Sequence, residues 1–127
     1  MSSTWTDEEL RKIGGATELQ VASQRPDGTL RPYVTIWGVR SGSDIYLRSA
    51  YGPGNGWFRR ALGAEGGRIR AGGTERDVSF EKVDTGSLVH GDIDAAYHAK
   101  YDSYGPKIVG SVVGQAAAAV TIQVLPR

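Results

Sequence analysis

Hydrophobic and polar residues alternate along much of this chain, which is the pattern of half-buried β-strands. The alternation predicts strands at residues 18–24, 33–40, 45–49, 68–71, 76–83 and 116–125. Turn-forming runs follow the first two strands, Arg25-Pro26-Asp27-Gly28 and Ser41-Gly42-Ser43-Asp44. Strands joined by such short turns pair antiparallel, so the pattern predicts an antiparallel sheet.

Three segments carry helical signals instead. Thr6 and Glu9 have the spacing of a capping box at the start of a short N-terminal helix. Residues 57–62 form a second short helical pattern, and residues 92–104 form the clearest one, with Asp92 as the predicted N-cap. Residues 107–113 remain ambiguous. This order of elements predicts one domain over residues 1–127, an antiparallel barrel or half-barrel whose openings are covered by helices.

Composition excludes several classes of site. The chain has no cysteine and only two histidines, so disulfides and thiolate metal sites are excluded and no metal site is predicted. It has no long apolar run and no signal-peptide core, so we expect a cytoplasmic protein without a membrane partner. Net charge is only +1, but residues 25–76 hold nine arginines and four acidic residues. This local excess favours an anion site over a nucleic-acid surface.

The stretch from residue 46 to residue 62 is the strongest candidate site. It reads as a strand end, a glycine-rich loop and the start of a helix, an arrangement in which unpaired N–H groups face a ligand. Arg48, Arg59 and Arg60 flank the loop and are suited to a phosphate or carboxylate. In the alternative interpretation the segment only connects elements, Trp57 plugs the core and the arginines are solvated.

A second candidate is the tyrosine-rich stripe of the 92–104 helix, which includes Tyr97, Lys100 and Tyr101. Such a stripe is typical of half-buried packing with the hydroxyls at the edge. The alternative is stacking on a flat heteroaromatic ligand. On the same helix, His98 follows Asp94 by four residues, which predicts a surface pair.

Familiar catalytic motifs are missing. No Gly-Lys-Ser/Thr follows the glycine-rich loop, no dinucleotide fingerprint lies in a parallel βαβ context, and no Gly-x-Ser-x-Gly elbow is present. What remains is a set of arginines around glycines together with many aromatic residues. Such a set suits a ligand with an acid at one end and a flat ring at the other, as in flavins and deazaflavins. The redox chemistry then belongs to the cofactor, so no catalytic side chain is predicted.

Three runs of the sequence resemble a known superfamily: R-P-D-G-T-L-R-P-Y-V-T-I-W from residue 25, D-I-Y-L-R-S-A-Y-G from residue 44 and W-F-R-R-A-L from residue 57. They are similar to the flavin- and deazaflavin-binding split β-barrel superfamily, which is pyridoxamine-phosphate-oxidase-like. Its deazaflavin-dependent nitroreductases carry an Arg-x-x-Gly-x-x-Arg turn, then a Ser followed by glycines and a helix-opening Trp. The matching positions are Arg25, Gly28, Arg31, Ser49, Gly52 and Trp57. An uncharacterised bacterial family of the same superfamily looks closer still, through Trp5, residues 36–39 and the A-Y-H-A-K-Y run at residues 96–101.

The resemblance implies a mainly β fold, a six-stranded antiparallel split β-barrel with short helices over its openings. It implies FMN or deazaflavin as the cofactor, and a nitroreductase-like oxidoreductase that acts on a small molecule by hydride transfer. The alternative is a non-catalytic small-molecule-binding protein on the same barrel. Members of the superfamily often build the site between two subunits, and Tyr33, Trp37 and Tyr51 look exposed in the sequence, so we expect a homodimer.

The predicted cofactor-binding residues are Arg25, Gly28, Arg31, Arg48, Ser49, Gly52, Trp57, Arg60, Tyr97, Lys100 and Tyr101. We expect Arg25, Arg31 and Arg60 to hold the acidic tail. Asp27 departs from the nitroreductase turn, which is rich in lysine and serine, and its carboxylate would repel a phosphate unless an arginine neutralises it. Arg76 lies at a strand start outside every matched motif, and we expect it to be solvated.

Overall fold

The computed structural model of the protein describes residues 4–50, 52, 54–64 and 66–127. Its sheet contains seven strands: β1 Leu19–Ser23, β2 Val34–Ile36, β3 Gly38–Ser41, β4 Asp44–Arg48, β5 Gly67–Ala71, β6 Thr74–Lys82 and β7 Thr121–Pro126. The helices are α1 Asp7–Gly15, α2 Gly56–Gly63, α3 His90–Tyr101, α4 Pro106–Val109 and α5 Gln115–Ala118, and a 3₁₀ turn spans Asp102–Tyr104. Tyr51, which the sequence led us to expect at the surface, lies outside the described residues.

The strands form one antiparallel sheet in the order β2-β1-β5-β6-β7-β4-β3. Its first and last strands, β2 and β3, follow one another in the chain with Trp37 alone between them. The sheet therefore nearly closes on itself, which confirms the predicted mainly β antiparallel barrel with short helices. It has one strand more than predicted, because the expected strand at residues 33–40 is interrupted at Trp37.

Side chains of α3 satisfy the backbone where that strand is interrupted. The Gly38 N–H donates to the Tyr101 hydroxyl at 3.2 Å, and the Gly38 carbonyl accepts from Lys100 Nζ at 2.6 Å. The Tyr97 hydroxyl lies 3.4 Å from the Trp37 carbonyl. Because buried backbone groups need partners, these contacts allow the chain to leave β1 and join β4 without unpaired groups at the change.

Gly38 is required at this change of partner. A Cβ atom at residue 38 would lie 2.8 Å from a methyl carbon of Leu19 and 2.8 Å from one of Leu47. These two leucines are themselves 0% exposed, so neither has space to withdraw. The glycine thus lets the barrel wall close tightly beside its core.

The N-terminal helix plugs one end of the barrel, as predicted. Thr6 accepts from the Glu9 N–H at 3.1 Å and Glu9 accepts from the Thr6 N–H at 2.9 Å, which confirms the capping box. Trp5 is buried in the barrel core with Leu10, and its indole N–H donates to the Val124 carbonyl at 3.0 Å. Trp5 therefore serves as a core residue.

Helix α3 packs outside the barrel against β3 and β4, in a second apolar cluster that includes Val39, Tyr46 and Ile93. It begins at His90, with Val89 as an N-cap that makes no side-chain bond. The prediction of Asp92 as N-cap was therefore wrong, and Asp92 lies in the first turn. The last strand also starts later than predicted, since residues 115–118 are helical. In the part of the chain described, no helix is both long and apolar enough to cross a membrane.

Candidate functional site

Two cavities lie next to each other beside α2, and we refer to them together as the cleft. One end, which we call the arginine end, is a cavity of about 440 Å³ lined by Gln24, Arg25, Pro26, Gly28, Arg31, Arg60, Gly63 and Ala64. The other, which we call the ring end, is a cavity of about 490 Å³ whose lining includes Glu18, Val34, Ile36, Trp37, Arg48, Trp57, Ile108 and Val112. A small space of about 10 Å³ lies between them, and its lining includes Arg31 and Arg60 of the arginine end and Val34 and Trp57 of the ring end.

The turn after β1 shapes the arginine end. Gly28 has φ +91°, a conformation that glycine adopts at low cost, and its N–H donates to the Arg25 carbonyl at 2.9 Å. The Asp27 carboxylate accepts from the Thr29 hydroxyl at 2.7 Å and from the Thr29 N–H at 3.0 Å, and these bonds lower the pKa of Asp27. The carboxylate is therefore held within its own turn, and Asp27 is not among the residues that line the cavity.

The arginines of this end differ in how many donors they keep available. Arg25 Nη1 donates to the Leu30 carbonyl at 2.9 Å and to the Thr29 hydroxyl at 3.3 Å, so Arg25 is partly engaged. Arg31 and Arg60 form no ion pair with any carboxylate in the described ranges. Their guanidinium groups are thus the cations best placed to bind an anion in the cleft.

The loop before α2 is held by Ser49. This residue is 1% exposed, and its hydroxyl donates to the Gly52 carbonyl at 2.7 Å. Gly52 has φ +83°, which explains the glycine at this position. Ser49 and Gly52 therefore shape the loop, and neither is among the residues that line the cleft.

The first turn of α2 has no side-chain cap. Asn55, the N-cap, makes no side-chain bond to the helix, and the turn contains no acidic residue. Arg60 folds back towards this turn, since its Nη1 lies 2.8 Å from the place that a Cβ of Gly56 would occupy. The Arg60 guanidinium therefore lies close to the first turn of α2, which contains Trp57.

The ring end is mainly apolar and aromatic. Trp57 is 8% exposed and belongs to the hydrophobic core, and it also lines the ring end. It therefore combines the two functions between which the sequence left a choice, a core residue and a part of the site. Sequence reasoning missed Val34, Ile36 and the wall function of Trp37. Val34 and Ile36 are two residues apart and share a face of β2, so alternation offered a signal. Nothing in the sequence indicated that this face borders a cleft.

Arg48 lies at the ring end but is committed to internal partners. Its side chain is 0% exposed, forms an ion pair with Asp94, and donates to the Thr121 hydroxyl and the Val112 carbonyl, both at 2.9 Å. Arg48 Nη2 lies 3.1 Å from His90 Nδ1, which accepts because a guanidinium only donates. We infer that Arg48 supports the cleft wall, because the carboxylate of Asp94 already occupies the place that an anionic ligand would take.

The pairing predicted for His98 was wrong. Its Nδ1 lies 2.7 Å from a carboxylate oxygen of Asp102, one turn further along the chain, whereas Asp94 binds Arg48. The expectation that Arg76 is solvated was also wrong. Arg76 pairs with Glu9 at 2.7 Å, and its side chain is 28% exposed.

The tyrosine stripe packs inside the protein. Tyr97 and Tyr101 are both 0% exposed, and burial raises the pKa of each. Lys100 is half-buried, which lowers its pKa to about 8. None of the three is among the residues that line the cleft. Of the predicted site residues, the structure brings six together along the cleft: Arg25, Gly28, Arg31, Arg48, Trp57 and Arg60.

Several solved structures share this fold. A conserved hypothetical protein of Mycobacterium tuberculosis shares the fold at TM-score 0.64 and 12% identity, over 98% of this chain and 81% of that one. A FAD-binding protein of Mesorhizobium loti does so at TM-score 0.60 and 14% identity, over 98% and 91%. An F420 reductase gives TM-score 0.50 and 16% identity, over 92% and 90%. The chain therefore shares its fold with these three proteins.

The family is shown by the sequence. The chain belongs to the family described as "Uncharacterized protein conserved in bacteria (DUF2255)", whose pattern matches residues 9–124. None of the curated proteins matches the chain. The family match agrees with the resemblance to an uncharacterised bacterial branch of the superfamily.

Proposed function

We propose that this protein is a flavin- or deazaflavin-binding oxidoreductase that acts on a small molecule. One observation carries the proposal: of two neighbouring cavities beside α2, one is lined by guanidinium groups and the other by indole rings, and Arg31, Arg60 and Trp57 border the small space between them. A ligand that fills both ends carries an acid and a flat ring joined by a slender chain. FMN and deazaflavins have this form.

The residues of the cleft fit such a cofactor. Arg31 and Arg60 have donors free of any described carboxylate, and Arg25 adds a third positive charge. Trp37 and Trp57 offer apolar surface at the opposite end. We assign the acidic tail to the arginines and the ring system to the indoles.

Bound there, the cofactor would supply hydride transfer, and the protein would supply binding, orientation and exclusion of water. The described side chains at the ring end suit that division. They are mostly apolar, and the buried cation Arg48 is neutralised by Asp94.

The same observation supports the alternative, a non-catalytic protein that binds a cofactor or small molecule. Arg48 makes four polar contacts within the protein, which leaves it poorly placed to donate a proton to a substrate. Turnover separates the two functions. An oxidoreductase reduces a nitro- or enone-type acceptor when it is supplied with reduced cofactor, whereas a carrier binds the cofactor without turnover.

The test is titration of the apoprotein with FMN, FAD and a deazaflavin, followed by fluorescence. We expect Arg60→Ala to weaken binding by roughly ten- to a hundredfold, as the loss of a charge-assisted contact does. Arg59→Ala is the matched control, because Arg59 is exposed like Arg60, precedes it on α2 and is not among the residues that line the cleft. Absence of binding for every cofactor, or equal losses in the two variants, would overturn the proposal.

A further inference from the structure

The two ends of the cleft differ in sign of charge. At the arginine end Arg25, Arg31 and Arg60 line the cavity without an acidic side chain among the lining residues. At the ring end the ionised lining residues are Glu18 and Arg48. Since Asp94 neutralises Arg48, the uncompensated charge of the ring end is the carboxylate of Glu18.

Glu18 has no ion-pair partner among the described residues, and it is exposed at the mouth of the ring end. Its position is nevertheless fixed by the fold. The carbonyl of the preceding residue, Thr17, accepts from the Tyr101 hydroxyl at 2.6 Å, and the following residue, Leu19, is a fully buried core residue. The Tyr101 ring packs on Trp37, so the same side chain fixes both the aromatic wall and the backbone beside the carboxylate.

We propose that Glu18 selects the substrate of the ring end and favours flat aromatic molecules that carry a positive charge over those that carry a carboxylate. The inference rests on the proposed function, in which the cofactor's acid occupies the arginine end. A cation beside the ring faces Glu18 and gains attraction, whereas an anion there is repelled, and the only guanidinium among the described lining residues of the ring end, that of Arg48, is already paired with Asp94. Because the carboxylate is exposed to water, the effect is moderate.

The experiment compares three probes of matched size, 4-nitrobenzylamine, 4-nitrobenzyl alcohol and 4-nitrobenzoate. Their dissociation constants are measured by NMR titration, at low ionic strength, on the apoprotein and on protein saturated with whichever cofactor binds. Binding is followed through the indole N–H signals of Trp37 and Trp57 at the ring end, because the benzoate would also bind Arg31 and Arg60 in the apoprotein. For wild type we expect the amine to bind about tenfold more tightly than the benzoate, with the alcohol between them. Added salt is expected to reduce the differences in affinity among the three probes.

Glu18→Gln is expected to reduce the preference for the amine to about twofold or less, while it leaves cofactor affinity unchanged. Glu81→Gln is the matched control, since Glu81 is an exposed residue of β6 that does not line the cleft. Preference for the benzoate in wild type, an equal preference in Glu18→Gln, or no binding of any probe would each overturn the inference. Failure of cofactor binding alone would instead remove the proposed function, because the probes are also measured on the apoprotein.

Discussion

The ring of Tyr101 lies face to face with the indole of Trp37, with ring centroids 3.9 Å apart and an angle of 7° between the planes. Trp37 marks the interruption between β2 and β3 and lines the ring end of the cleft, whereas Tyr101 ends α3. A helix outside the barrel therefore supports the cleft wall from behind. The tyrosine stripe contributes to the site as a support, without lining it.

The Tyr101 hydroxyl is expected to matter for stability. It bonds to Gly38 and to the Thr17 carbonyl, so Tyr101→Phe leaves the buried Gly38 N–H without that partner. We expect the free energy of unfolding, measured by urea titration, to fall by about 1–3 kcal/mol. Tyr97→Phe is the control, because the Tyr97 hydroxyl makes one long contact of 3.4 Å and its loss should cost less. Equal losses would contradict this account of the strand interruption.

The Arg48–Asp94 pair is expected to be the costliest ion pair to break. Arg48→Met leaves the partly buried Asp94 without its cation and removes three further contacts of the guanidinium, so we expect a loss of about 2–4 kcal/mol. Arg68→Met is the matched control on β5. Arg68 pairs with Asp77 at 2.7 Å, but both side chains are well exposed, so about 0–1 kcal/mol is expected. Chemical denaturation of both variants measures these losses in the free energy of unfolding. A smaller loss for Arg48→Met than for Arg68→Met would refute the supporting function of Arg48.

Arg31→Ala is expected to weaken cofactor binding by roughly ten- to a hundredfold with little change in melting temperature. In the alternative, Arg31 pairs with Asp27 or a neighbouring acid and only shapes the turn. Asp27 binds Thr29 instead, and Arg31 forms no ion pair with any described carboxylate. Arg76→Ala should behave in the opposite way. It breaks the contact with Glu9, so stability falls while affinity stays the same. Calorimetric titration with melting curves tests both, and unchanged affinity in Arg31→Ala would count against the arginine end as an anion site.

Lys100 is expected to make stability rise with pH over a defined window. Burial lowers the pKa of Lys100 from 10.5 to about 8 in the folded protein. Between these pH values the amine is protonated in the unfolded chain and neutral in the folded protein, so a rise in pH removes protons from the unfolded state and favours folding. The penalty is complete below pH 8 and disappears as pH rises towards 10.5. Tyr97 and Tyr101 act in the opposite direction above about pH 10, since their pKa values are raised in the folded state.

Urea titrations between pH 8 and 10 therefore test Lys100. We expect stability to increase with pH in wild type and this increase to be lost in Lys100→Met. Lys107→Met serves as control, because Lys107 is exposed on α4 and its replacement should preserve the slope. The same slope in all three proteins would exclude Lys100 as its source.

We also propose a homodimer, but with other exposed residues at its interface than those that the sequence suggested. Tyr33 stacks with the Arg70 guanidinium at 3.9 Å and Trp37 packs on Tyr101, so these aromatics have partners within the chain. Tyr104 and Ile108 are instead 49% and 51% exposed beside the ring end, where a second copy would cover them. Light scattering at micromolar concentration should show a dimer, and Ile108→Glu should shift it towards monomer. A monomeric wild type would end this proposal.

The sequence alone determined the features that depend on near neighbours in the chain. The capping box of Thr6 and Glu9 joins residues three apart, and the turn closed by Arg25 and Gly28 also spans three residues. The alternation of hydrophobic and polar residues predicted the strands, and the short turns predicted that they pair antiparallel. These features form from local hydrogen bonds and hydrophobic periodicity, which any reader of the sequence can follow.

The tertiary structure decided which distant side chains meet. Arg48 takes Asp94, 46 residues away, in place of a ligand, and Asp94 is thereby removed from His98. Arg76 reaches Glu9 across 67 residues. The order and register of strands that are far apart in sequence determine which long side chains come into contact. No local sequence pattern encodes that register. For the same reason, only the closed barrel brought the turn after β1 and helix α2 together into one cleft.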